Sequence, residues 1–499
     1  MKKIILFLIG TLVFFIFNAL DTQALDLQGA EEVVSSSMAA EGGHSESADH
    51  HAPSPISVIP FIILLGMIAT GPLFYEHFWH KNYPKVAVVL AAIVVGYYLF
   101  GLHNTHGPVH AFFEYFQFIA LLASLYIASG GIMIKVDKQG TPLVNVCLLL
   151  IGAVIANVIG TTGASMLLVR PFIRLNKRRI QPYHIIFFIF MVSNIGGCLT
   201  PIGDPPLFLG FLKGVPFFWT MEHNFTEWLI AVLIFAVIFY VFDQKNVKKE
   251  NPLFSDELAN QKYSNKITIV GQKNFLWLAV AVGAVFLDPN VDGFEWLPAI
   301  HFDGQKFSFI REVIMLSVAF FSFKFANKEA INGNEFNFEP IREVAFIFIG
   351  IFGTMMPALE IVAGFAASPA GKELIGHNTL YWATGLISGF LDNAPTYLNF
   401  LTAALAAQGG SIGTPGDVVA FTNGDGFTDS IMQLTAISVS SVFFGAMTYI
   451  GNGPNFMVKS IAEQVGIQMP SFFGYIIRYS IPILLPVLVV IWLIFFAFA

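Results

Sequence analysis

The chain is 499 residues long, 55% hydrophobic and only 12% charged, with 53 phenylalanines and a mean hydropathy of +0.68. Soluble domains carry about 25% charged residues, so an ordinary soluble core is excluded, and many apolar runs near the roughly 20 residues that span a bilayer mark a polytopic all-α membrane protein. The net charge of −7 is spread over loops and by itself says little about partners; those expected of a membrane chain are lipid and small ions, with no nucleic acid.

The first residues, "MKKIILFLIGTLVFFIFNALDTQA", combine two lysines with a short apolar stretch and a Thr-Gln-Ala end. They read as a signal peptide over 1–24, cleaved near Ala24, the alternative being a retained first transmembrane helix. Residues 25–55 are rich in Ser, Glu and His and read as a disordered polar segment outside the membrane. His44, His50 and His51 in it show no ligand spacing and read as tail residues.

Two crossings follow within 56–110, at 56–77 and 85–102, with "EHFWHKNYPK" between them. Residues 112–134 cross next, opening a first unit over 111–243. Residues 143–175 pose a choice, because a single crossing would carry Arg174, Lys177, Arg178 and Arg179 outside, against the positive-inside rule. A re-entrant hairpin turning at Gly160-Thr161-Thr162-Gly163 keeps them in the cytoplasm, and glycines suit such a turn. Cys147, in this run, and Cys198 form no disulfide or metal pattern and read as small buried residues.

Residues 183–218 form a crossing broken by "NIGGCLTPIGDPP", and 226–243 return to a charged cytoplasmic loop over 244–272. Two linking crossings occupy 273–340, at 273–288 and 309–326. The second unit spans 341–499: a crossing at 342–362, a second hairpin at 379–407 turning at "LDNAP", a crossing at 431–464 broken by "TYIGNGPN", and a last helix at 473–498. Beyond Lys2 and Lys3, only Lys213, Lys306, Arg311 and Lys372 fall on the outside of this topology, which fits the charge rule. The N-terminal segment and the C-terminus are then expected on the outer side of a bacterial inner membrane.

The two breaks resemble each other. At an offset of 248 residues Ser193, Gly197, Thr200, Ile202, Gly203, Pro206 and Phe208 meet identical residues at 441–456. Entered from opposite sides, the two units are expected to be inverted repeats with a site near the midplane. A broken helix leaves amides and carbonyls unpaired there, and an aspartate at that depth costs about 2.5–3.5 kcal/mol, which makes it a functional candidate. Asp204 and Asp392 are the two such residues, Asp392 lying in a polar cluster with Asn393 and Thr396; the simpler role for Asp204 is a helix N-cap. Glu114 and Glu343 read as helix-end acids, and Lys213 and Lys459 as helix-end or interfacial residues.

"SNIGGCLTPIGDPPLF" (193–208) and "GFLDNAPTYLNFLTA" (389–403) resemble the motifs of the ion transporter superfamily, which holds NhaD-type sodium/proton antiporters, arsenite permeases, citrate transporters and the melanosomal P protein. The resemblance covers about residues 110–465. It implies a scaffold and a moving transport domain, elevator-type exchange and a homodimer. It also implies an ion site lined by Asn194, Thr200, Asp204, Asp392, Asn393 and Thr396, with Thr448, Asn452 and Asn455 from the second break. Where antiporter patterns place an Asp-Asn pair in the first hairpin, this chain has Thr161 and Thr162.

Two carboxylates, Asp204 and Asp392, among Thr and Asn oxygens suit a hard cation such as Na⁺, and a carboxylate there holds either a proton or a cation. The expected function is Na⁺/H⁺ antiport, with Na⁺ and H⁺ as transported ions and no cofactor. The alternative is Na⁺-coupled symport of citrate or a similar carboxylate, gripped by helix N-termini; the breaks hold no Arg or Lys, and "SNIGG" in one against "SVFFG" in the other departs from the paired Ser-Asn-Thr motifs of the carboxylate-transporting branch, which speaks against it. A membrane enzyme is disfavoured: His77, His80, His103, His106 and His110 match no HExxH pattern, and no phosphate loop occurs.

Overall fold

The computed structural model describes residues 53–138, 140–247, 266–289, 294, 296–302 and 305–498. The expected signal peptide over 1–24, nearly all of the polar segment expected after it and most of the charged loop at 244–272 lie outside the described residues. Eight helices among the described residues are long and apolar enough to cross a membrane.

Helices α1 (Ile59–Phe74) and α2 (Glu76–Gly96) are separated by Tyr75 alone and pack on each other. The segment "EHFWHKNYPK", which hydropathy alone leaves as a connection, is helical: Trp79 and Tyr83 are buried, and Trp79 packs on Gly71. Helix α3 (His106–Gly130) follows. Glu114 lies two turns into it and is buried, so it is not a helix-end acid.

Helix α4 (Pro142–Leu175) is a helical hairpin rather than a rod. Thr141 caps its start by accepting from the Val144 amide, and Pro142 sits in the first turn where no N–H is needed. Gly160 alone leaves helical geometry, with φ 79° and ψ 155°, a conformation open to glycine and costly to other residues. The two arms then run back on each other. Asn145 and Asn176 exchange amide hydrogen bonds of 2.7 and 2.8 Å, and Gly140 N–H reaches Leu175 O at 2.9 Å. Leu143, Ile151, Val154 and Val158 form an exposed apolar stripe on the first arm. Cys147 lies on that stripe and is exposed; only Cys198 is buried.

The first broken crossing consists of α5 (Pro182–Met191), an irregular stretch, and α6 (Pro205–Lys213), which ends at Gly214 with φ 113°. Helix α7 (Trp219–Asn246) returns. Helices α8 (Lys273–Ala284) and α9 (Ile310–Lys324) link to α10 (Glu339–Ala367). The second hairpin is α11 (His377–Ser388) and α12 (Asn393–Ala407), and Ile375, just before its first arm, packs by Ala403, Ala406 and Ala407 at the end of its second. The second broken crossing is α13 (Ser430–Phe444) and α14 (Gly453–Gln464), and α15 (Phe472–Phe495) is last.

Two short antiparallel pairs were not foreseen: β1 (Met133–Val136) with β2 (Ile267–Val270), in register Met133 to Val270, and β3 (Ile300–Phe302) with β4 (Gln305–Phe307). The helices sort into two packed groups. In one, α10 packs on α2 and α3, and α3 on α8 and α9. In the other, α13 packs on α11, α12 and α7, while α4 packs on α7 and α14. The main bridge between the groups is α10 against α12.

Candidate functional site

Both breaks are built the same way. Thr200 Oγ1 donates to Asn157 O at 2.6 Å and accepts from the Gly203 amide at 3.1 Å. Thr448 Oγ1 donates to Gly389 O at 2.7 Å and accepts from the Gly451 amide at 3.1 Å. In each case the threonine ties its break to the turn of the neighbouring hairpin. A Cβ at Gly203 would meet Gly197 O at 2.2 Å, and one at Gly451 would meet Gly445 O at 2.6 Å, so both turns close on bare glycine backbone. Asp204 and Asn452 then occupy the same position, each the extended residue before a Pro-containing helix start, at φ −144° and −152°.

These two residues meet. Asp204, 1% exposed, accepts from Asn452 Nδ2 at 2.9 Å and from Thr161 Oγ1 at 2.8 Å on one oxygen, and from Asn393 Nδ2 at 2.5 Å on the other. One carboxylate thus joins both breaks and both hairpin tips. All its described partners are neutral. Asp204 stands at the N-cap of α6, but its side chain caps nothing.

The amides around it are oriented by their own bonds. Asn194 Nδ2 donates to Ile189 O at 2.8 Å and Asn455 Oδ1 at 2.6 Å, while Asn455 Nδ2 donates to Gly445 O and Thr448 O. Asn393 gives its Nδ2 to Asp204. Every one of these nitrogens is therefore committed to an acceptor, and a flipped amide would oppose oxygen to oxygen. What remains is Asn194 Oδ1 and Asn393 Oδ1, both buried without a donor. Both side chains flank Gly445: a Cβ there would lie 3.0 Å from Asn194 Oδ1 and 3.6 Å from Asn393 Nδ2. Buried acceptors in native proteins almost always find a donor. A pocket of oxygens with a carboxylate and no basic group is chemically suited to a cation.

The other expected residues stand apart from this centre. Asp392 is half-buried, and its carboxylate accepts from the Ala394 amide at 3.0 Å, capping α12; Thr396 Oγ1 donates to Asp392 O at 2.9 Å. Thr162 is half-buried and makes no side-chain hydrogen bond among the described residues. Lys213, in the last turn of α6, pairs with Glu114 at 2.5 Å, and Lys459 pairs with Glu463 at 2.7 Å over the Tyr449 and Phe456 rings; neither reaches Asp204.

Sequence reasoning missed a second polar cluster. Arg179 holds Asp243 of α7 through both terminal nitrogens, one at 2.8 Å, and Tyr183 donates to Asp243 at 2.6 Å, with His184 Nε2 at 3.0 Å. Asn145 adds 2.8 Å. This cluster closes the open end of the first hairpin, away from its tip. The one signal for it was Asp243 at the far end of the apolar run of α7.

A family model described as "Putative citrate transport" matches residues 50–496. Two curated proteins, an uncharacterized transporter of Mycobacterium bovis and one of Mycobacterium tuberculosis, are each 22% identical over 416 residues, covering 81% of this chain and 84% of theirs.

Proposed function

The chain belongs to this citrate-transport family and is a multi-pass membrane transporter, and from that premise we propose that it is a cation-coupled carrier of a citrate-like carboxylate, with Asp204 at the coupling-cation site. The observation that carries the cation part is the oxygen pocket: Asp204 with neutral partners, beside Asn194 Oδ1 and Asn393 Oδ1 without donors. Asn452 and Thr161 hold the carboxylate, and Thr200 and Thr448 fix the two breaks around it. The ion is Na⁺, H⁺ or both in succession.

The carboxylate part rests on the family description and on three helix starts, α6, α12 and α14, which meet at this cluster. Helix N-termini favour anions. Asp392 and Thr396, at the start of α12, stand at the edge of this region and serve the substrate side. The matched geometry of the breaks supports reading the two units as inverted repeats, and the two helix groups as a scaffold and a transport domain of an elevator, working as a homodimer.

A second reading is Na⁺/H⁺ antiport. It is favoured by the same carboxylate, because a buried acid with no basic partner binds a proton or Na⁺ in turn.

The test is purified protein in liposomes with a trapped pH dye and labelled citrate. Citrate is expected to accumulate under an inward Na⁺ or proton gradient, and Asp204→Asn to reduce this to the level of protein-free liposomes. If NaCl alone dissipates a preset pH gradient and citrate stays outside, the antiport reading replaces it.

A further inference from the structure

A second carboxylate lies behind the first break, on the face of α7 packed against it. Thr220 Oγ1 donates to Leu199 O at 3.0 Å, Asn224 Nδ2 to Cys198 O at 3.2 Å, and Trp228 Nε1 to Gly196 O at 3.3 Å. Glu227 sits on this same face, about a third of the way along the helix and 7% exposed. Its Oε2 is buried without a partner, and so is Asn224 Oδ1, one turn away. The Asn224 amide cannot be turned to relieve this, since its nitrogen already faces the oxygen and the sulfur of Cys198. Glu227 makes no ion pair among the described residues. It shares no described hydrogen bond with the Asp204 cluster, although Cys198 stands within electrostatic reach of both carboxylates.

A carboxylate inside a membrane helix is expensive, and bundle-facing ones pair with another group or take part in ion pathways. Here the α7 face supplies donors to the break and retains two acceptor oxygens for itself. Residues three apart on a helix are surface neighbours, so Asn224 and Glu227 stand side by side on this face. We propose that Glu227 and Asn224 form a second cation-accepting site behind the first break, for a proton or Na⁺, separate from the one at Asp204. The inference rests on the reading of the chain as a cation-coupled carrier and adds a second coupling ion to it. Trp228 and Thr220, by tying the break to the same helix face, link occupancy of this site to the position of the break.

The experiment counts ions bound by the full chain purified in detergent, with ²²Na⁺ for sodium and a pH dye for protons taken up, in wild type, Glu227→Gln, Glu227→Asp and Asp204→Asn. E227Q is nearly isosteric, and its gel-filtration profile is compared with wild type. The expected result is one bound ion fewer, Na⁺ or H⁺, in E227Q, with E227D retaining it. The inference is overturned if E227Q, eluting as wild type does, binds as many ions of both kinds. It is equally overturned if E227Q and E227D lose the ion alike, which would make the side chain a packing element. If D204N binds as wild type does while E227Q loses an ion, the Asp204 reading fails and the Glu227 site stands.

Discussion

Asn393 does two jobs with one amide: its nitrogen holds Asp204 and its oxygen is free for a ligand. Hydrogen bonds to charged groups contribute about 1.5–3 kcal/mol. Asn393→Ala is therefore expected to raise the cation concentration for half-maximal citrate uptake by roughly tenfold or more, whereas Thr162→Ala, outside the hydrogen-bonded centre, leaves it within about twofold of wild type. An unchanged half-saturation in N393A would remove this residue from the site. The glycines of the breaks give a test of the same centre by shape alone. Gly203→Ala places a methyl against Gly197 O, while Gly283→Ala meets nothing within 4 Å. The first is expected to abolish the folded peak on gel filtration or lower the thermal midpoint sharply, and the second to leave both as they are.

At the scale of elements, the hairpins and breaks were legible because each carries local chemistry. Gly160 announces a turn no other residue adopts cheaply, and the prolines after Asp204 and Asn452 announce two helix starts. The offset of 248 residues pairs Thr200 with Thr448 in the sequence, and the structure gives both the same hydrogen bonds. Legibility ended where roles depend on partners far along the chain. The two aspartates looked alike in sequence, yet Asp392 caps its own helix while Asp204 gathers three other segments. The cluster of Arg179 and Asp243 bridges 64 residues with no motif to mark it. It yields its own prediction. Asp243 is fully buried, and removing one partner of a buried pair costs about 3–5 kcal/mol. Asp243→Ala is expected to destabilise the purified protein strongly in a thermal melt. A melt indistinguishable from wild type would show that this end of the hairpin does not depend on the pair.

At the scale of the whole molecule, the question is what joins the two helix groups. Glu114 belongs to α3 of one group and Lys213 to α6 of the other, and buried Glu114 pairs with half-buried Lys213 at 2.5 Å. Phe118 and Phe208 lie beside the same boundary, with ring centroids 6.2 Å apart. If the groups slide during transport, this pair exists in only part of the cycle and stabilises the arrangement in which it forms. The double substitution Glu114→Gln with Lys213→Met removes it without leaving a lone buried charge. A single substitution would not, because the stranded partner carries its own penalty. Neither residue touches the Asp204 centre, so the half-saturating citrate and cation concentrations are expected to stay within about twofold of wild type. Turnover is expected to change instead. Each 1.36 kcal/mol taken from a barrier is tenfold in rate, so a pair contributing about 1 kcal/mol to the resting arrangement, near the upper end for ion pairs, would speed its exit by roughly fivefold. The observed rate rises by that amount where leaving this arrangement limits the cycle. Time-resolved citrate uptake at saturating cation measures it directly. A turnover equal to wild type would mean that the pair persists throughout the cycle and that α3 and α6 move as one body.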